Sequence, residues 1–147
     1  MPERNSYERV REFHETFGHP VGKAPLTPTV DRMKLRLALI LEEAAELTDA
    51  MGFDGELIRQ ATADVLEKGV VEHADLIEIA DALGDIEYVV NGAALECGIN
   101  LPQVVSEIHH SNMTKLGPDG KPIYRDDGKI LKGEGYRPPN IAKALGI

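Results

Sequence analysis

The chain has 147 residues, enough for one domain with a single core, and its 42% apolar and 28% charged content excludes intrinsic disorder. No apolar run approaches the ~20 residues that span a bilayer, and the charged N-terminus MPERNSYERVREF has no signal-peptide core, which points to a cytoplasmic protein away from membranes. One cysteine (Cys97), no tryptophan and a net charge of −9 exclude a disulfide framework, a cysteine-rich zinc site, a base-stacking platform and a partner such as a nucleic acid polymer.

In chain order, Asn5 or Ser6 caps a first helix on which Tyr7, Val10, Phe13 and Phe17 recur at helical spacing, and Gly18 ends it. Pro20, Pro25 and Pro28 make an irregular connection. Thr29 caps a long helix to about Met51, and residues 54–69 form a shorter helix. Asp75 caps a second long helix to Cys97, and Asn100 caps a helix through about Lys115. Beyond it, Gly117, Pro118, Gly120, Pro122 and the Asp127-Gly128 pair punctuate a tail in which residues 123–125 and 129–131 can pair as a hairpin. Residues 141–145 suit a terminal helical turn. The reading is an all-α bundle of four to five helices: a single domain over 1–147, with a catalytic helical core at about 29–115 and a basic, loop-rich tail at 116–147. Residues 114–147 hold seven bases against four acids, a net of +3, which leaves −12 on the first 113 residues. An acidic body suits cations and a basic tail suits phosphates; a solvated surface is the plainer reading of the asymmetry alone.

The two long helices carry the chemistry. On the first, Met33, Leu37, Ile40, Ala44, Leu47 and Met51 form an ordinary core stripe. On the opposite side Leu35 and Leu39 lead into Glu42, Glu46 and Asp49, with Glu43 at the edge. On the second, Ile79, Leu83, Ile86, Val90, Ala93 and Cys97 form the core face, Cys97 as a small core residue, while Glu78, Asp81 and Asp85 cluster within about 60° on the other side. If the two helices are antiparallel neighbours, EEAAE (42–46) and EIAD (78–81) face each other. Converging carboxylates repel unless a cation joins them, and oxygen-only ligands select Mg²⁺ or Mn²⁺. Each cluster alone is commonly a solvated helix face. An apolar seam on both sides of a helix also calls for a second copy, as a homodimer or a dimer of dimers.

EEAAE followed by EIAD resembles the EExxE…ExxD signature of the all-α nucleoside triphosphate pyrophosphohydrolases, which include MazG-like proteins, dimeric dUTPases and phosphoribosyl-ATP pyrophosphohydrolase. The segments LGDIEYVVNGAALECGI and HHSNMTKLGPDGKPIYRDDGKILKGEGYRPP extend the resemblance over roughly residues 30–139, with 31 residues between the two acidic motifs. The resemblance implies Mg²⁺-dependent conversion of a nucleoside triphosphate to monophosphate and pyrophosphate, by a house-cleaning enzyme acting on dUTP or another deoxynucleotide. It implies Glu43, Glu46, Glu78 and Asp81 as metal ligands, and Glu42, Glu43 and Glu46 as the catalytic group. Glu42 is a ligand, an outer neighbour of the metal or a general base, and Asp49 and Asp85 are outer neighbours or ordinary acids, solvated or bonded to N–H groups. Asn112, Lys115, Lys121, Arg125, Lys132 and Tyr136 are the substrate-binding candidates. Phe17, Leu35 and Leu39 suit a core or subunit interface better than a nucleobase wall, and His109 and His110 read as structural surface histidines. The alternatives are phosphoribosyl-ATP hydrolysis in histidine synthesis and a non-catalytic helical oligomerisation module.

Overall fold

A computed structural model describes residues 3–69, 73–126 and 128–147. Among them the elements run α1 (Ser6–Phe17), α2 (Val30–Ala50), α3 (Glu56–Glu67), α4 (Leu76–Glu96), α5 (Leu101–Met113), β1 (Ile123–Tyr124), β2 (Ile130–Leu131) and α6 (Ile141–Leu145). The all-α reading holds, and the hairpin and terminal turn stand where expected. Asp127 lies outside the described residues. No described helix is long and apolar enough to cross a membrane.

The helix starts follow their side-chain caps. Asn5 and Glu8 form a reciprocal capping box, the Asn5 side chain accepting from Glu8 N–H at 2.9 Å and Glu8 Oε2 from Asn5 N–H at 3.0 Å. Thr29 accepts from Arg32 N–H and Asn100 from Gln103 N–H, while Asp75 Oδ1 serves Ile77 N–H at 2.9 Å. At the end of α1, Gly18 takes φ 71°, a left-handed conformation that glycine adopts without strain.

The chain divides into two compact units, one of residues 1–23 and 82–147, the other of residues 24–81. In the second, α3 packs on α2. Asp49 organises the turn between them: its carboxylate accepts from Gly55 N–H at 2.8 Å and from Arg59 at 2.5 Å. Those bonds, Arg59 first, hold its carboxyl below the ordinary range. Of the two readings of Asp49, the N–H-bonded acid is the one observed: its carboxylate is committed to this turn. Ala45 is fully buried beneath it.

In the first unit, α1 packs on α5 and α5 on α6. Phe17 is buried and stacks on Phe13 with ring centroids 4.3 Å apart, so its role is core packing and not a nucleobase wall. The hairpin pairs Ile123 with Leu131 and Tyr124 with Ile130. Tyr124 ties it to the end of α1, its hydroxyl donating to Phe17 O at 2.7 Å.

Two expectations are corrected here. His109 is buried and not a surface histidine: its Nε2 meets Glu12 Oε2 at 3.0 Å, joining α5 to α1, and Arg4 bonds the same carboxylate. A carboxylate only accepts, so Nε2 carries the proton. Cys97, expected in the core, is exposed. The α4 stripe beneath that expectation is open as well, since Leu83, Ile86 and Val90 remain exposed in the single chain.

The Glu12 weld sets a pH dependence. The hydrogen bond from Arg4, then that from His109, holds the Glu12 carboxyl below its ordinary 4.5. The folded chain therefore binds this proton more weakly than the unfolded chain. The resulting stabilisation is complete above the ordinary value and is lost as pH falls through the lowered one. Glu12→Gln is expected to lower Tm at neutral pH and to flatten the fall of Tm between about pH 5 and pH 3. An acid limb as steep as that of the parent chain would refute this role.

Candidate functional site

Successive turns of α2 place Glu42, Glu43 and Glu46 together on one helix. All three are exposed. Partial desolvation raises the Glu43 carboxyl above its ordinary value, and the charges of Glu46 and then Glu42 raise it further. Desolvation is the larger cause, and the neighbouring negative charges add to it. Glu78 and Asp81 stand exposed in the first turns of α4, in the same unit as α2. Among the described residues, the side chains of Glu42, Glu46, Glu78 and Asp81 make no hydrogen bond or ion pair, so none of the four is committed to holding the fold.

The convergence expected from the sequence is not formed within the single chain. Among the described residues no three His, Cys, Asp or Glu side chains lie close enough to hold a metal ion between them. The donor chemistry suits a hard dication, because the acids are all-oxygen donors committed to no other partner.

The basic candidates belong to the other unit. Asn112 lies in the last turn of α5, and Lys115 follows the Thr114 cap, its N–H donating to Asn112 O at 3.1 Å. Both are half-buried. Lys121 closes a tight turn in which Gly117 N–H donates to Lys121 O at 2.8 Å. Arg125 is at the hairpin turn, its N–H donating to Lys129 O at 2.8 Å. Lys132 holds its ammonium 4.6 Å from the centre of the Tyr136 ring, a cation–π contact that orients both side chains. Among the described residues Lys115, Lys121 and Lys132 pair with no carboxylate.

Sequence reasoning missed Ser111 and Thr114, which lie inside the SNMTK segment but were not singled out. Ser111 is buried, and its Oγ donates to Arg137 O at 2.6 Å. Arg137 N–H donates to Thr114 Oγ1 at 2.8 Å. The signal available was a pair of hydroxyl residues at i, i+3 near a helix end, a spacing that puts both on one face.

Comparison with known proteins places the chain. Residues 10–112 match the family model of phosphoribosyl-ATP pyrophosphohydrolase. The crystal structure of a proposed NTP pyrophosphohydrolase from Exiguobacterium sp. 255-15 is similar with a TM-score of 0.76 and 30% identity, over 95% of this chain and 91% of that one. A protein of Acanthamoeba polyphaga mimivirus, known as uncharacterized protein L479, is 39% identical over 100 residues, 65% of this chain. The chain spans 32% of that viral protein's length. The match covers both acidic motifs, α5 up to Asn112 and most of the helical fold, and the chain belongs to the phosphoribosyl-ATP pyrophosphohydrolase family of all-α, MazG-like NTP pyrophosphohydrolases.

Proposed function

We propose that the protein is a Mg²⁺-dependent pyrophosphohydrolase that converts a nucleoside triphosphate, dUTP or another deoxynucleotide, to the monophosphate and pyrophosphate. The observation that carries this reading is the set of uncommitted carboxylates on α2 and α4 in a chain of this family. Glu43, Glu46, Glu78 and Asp81 would hold the metal, for which Mn²⁺ can substitute. When bound, the ion neutralises charge on the phosphate oxygens and lowers the pKa of a water molecule. Glu42, adjacent and unpaired, orients or deprotonates the attacking water. Asn112 hydrogen-bonds the base or sugar, and Lys115, Lys121, Arg125, Lys132 and Tyr136 receive the polyphosphate and its sugar.

The protein acts as a homo-oligomer, a dimer or a dimer of dimers. Tyr88, Leu95 and Val89 on α4 are 81%, 78% and 65% exposed. Gly84 and Gly92 lie four residues to either side of Tyr88. Each glycine costs a helix interior about 1 kcal/mol relative to alanine. Among the described residues no close contact requires them, since a Cβ at either position would meet no atom within 4 Å outside its own helix backbone. A spacing symmetric about Tyr88 suits an isologous contact, in which the same patch meets itself across a two-fold axis. Because α4 carries both this face and Glu78 and Asp81, association through it is also the step that closes the acidic groups.

The test is a panel of dNTPs and NTPs, together with phosphoribosyl-ATP, incubated with Mg²⁺ and scored for pyrophosphate. Pyrophosphate and monophosphate in equal amounts are the expected products, with the deoxynucleotides turned over fastest. Release of inorganic phosphate alone, or turnover of no member, would remove the reaction. Preference for phosphoribosyl-ATP would move the enzyme to histidine synthesis.

A further inference from the structure

The tail lies fastened along α5. Both backbone groups of Arg137 are held by hydroxyls, its carbonyl by Ser111 Oγ at 2.6 Å and its N–H by Thr114 Oγ1 at 2.8 Å. Thr114 Oγ1 is itself fixed, donating to Ser111 O at 2.7 Å. On one side of this latch Gly133 N–H donates to Lys115 O at 3.3 Å, and on the other Asn140 N–H donates to Glu107 Oε1 at 2.8 Å. At Gly133 the two backbones touch: a Cβ there would lie 2.5 Å from Leu116 O. Only glycine allows that approach.

These fastenings hold backbone and leave cationic side chains uncommitted. Among the described residues Lys115, Lys132 and Arg137 form no ion pair, in a chain whose net charge is −9. The Gly133–Lys115 bond makes Lys132 and Lys115 neighbours across two backbones. The latch fixes Arg137 itself, and the Tyr136 ring steadies the Lys132 ammonium. Hydroxyls that grip both the N–H and the C=O of one residue fix the register, and with it the position of each cation.

We propose that Ser111 and Thr114 are positioning residues: they lock the strap 132–137 in register so that Lys115, Lys132 and Arg137 form one preset surface for the polyphosphate of the substrate. The proposal rests on the pyrophosphohydrolase reading for its ligand and adds the strap and its latch. Prepositioned cations lower the ordering cost of binding, so the latch acts on affinity and not on the chemical step.

The test compares the parent chain with Ser111→Ala/Thr114→Val, Thr114→Ser and Lys132→Gln/Arg137→Gln. Steady-state kinetics use the best substrate of the nucleotide panel, and calorimetric titration uses inorganic tripolyphosphate in EDTA. The double latch variant is expected to raise KM and to weaken tripolyphosphate binding by about tenfold or more, the size of one or two charge-assisted contacts. Its kcat stays within about twofold, and Thr114→Ser restores both values. Lys132→Gln/Arg137→Gln, which leaves every backbone fastening in place, should match the latch variant in affinity at unchanged Tm. A latch variant with lowered Tm but parental KM and tripolyphosphate affinity would overturn the proposal, as would parental affinity in the charge variant if the latch variant does not fold. A parent chain that turns over no nucleotide ends the reaction reading alone, and the tripolyphosphate titration still decides the strap. A parent chain that does not bind tripolyphosphate at about 1 mM ends the strap alone.

Discussion

Glu46→Gln is expected to cut pyrophosphate release by on the order of a hundredfold or more, the cost of losing one charge-stabilising group in an active centre. Asp81→Asn should do the same. Both side chains are exposed, and among the described residues neither makes a hydrogen bond or ion pair, so the amide variants remove no contact that holds the fold. Circular dichroism and the Tm of the metal-free protein should therefore stay at parental values. Metal linkage supplies the contrast. A ligand that binds only the folded state at a hundred times its Kd stabilises by about 2.7 kcal/mol, so Mg²⁺ should raise the Tm of the parent chain and leave that of the variants almost unmoved. If both variants retain full turnover, the carboxylates are solvated helix faces and the catalytic group lies elsewhere. If the parent chain turns over nothing and its Tm ignores Mg²⁺, the helical-module reading takes over.

The elements were legible because their punctuation is local. Asn5, Thr29, Asp75 and Asn100 each cap a helix through a side chain that reaches two or three residues ahead, and such a signal survives in sequence. The hairpin follows from Gly128 between two apolar pairs. Long-range partnerships were not legible. Asp49 has the period of the acidic seam, and only the α2–α3 turn shows that Gly55 and Arg59 claim it. The bond between His109 and Glu12 links residues 97 apart. The latch at Ser111 and Thr114 closes on a backbone 26 and 23 residues away, where periodicity has nothing to report. The α4 stripe fails for a different reason. Helical spacing shows which residues share a face and not which molecule covers it, so Leu83, Ile86 and Val90 read as core yet are open in one chain. The acidic motifs share that limit: their spacing puts each on one side of its helix and says nothing of whether the two sides meet.

That exposed face yields the second large effect. The parent chain is expected to elute as a dimer or larger at micromolar concentration, and Leu95→Glu as a monomer. Leu95 is 78% exposed and lines the groove formed by Gly84, Tyr88 and Gly92. A substitution at so open a position costs the monomer's fold within about 0.5 kcal/mol. If association through this face covers the same side chain, its full burial is worth about 1.5–3 kcal/mol. An isologous contact counts it twice. Losing both copies raises the dissociation constant by on the order of a thousandfold, before the further cost of desolvating two carboxylates at the contact. Gly92→Leu attacks the same surface by bulk instead of charge; a Cβ at Gly92 meets no atom of the described residues within 4 Å outside its own helix backbone. Turnover and the Mg²⁺-dependent rise in Tm should fall together with the dimer in both variants, because the helix proposed to associate also bears Glu78 and Asp81. Monomeric variants with parental turnover would show that a single chain closes its own metal site, and a parent chain that is itself monomeric and active would remove the need for a partner altogether.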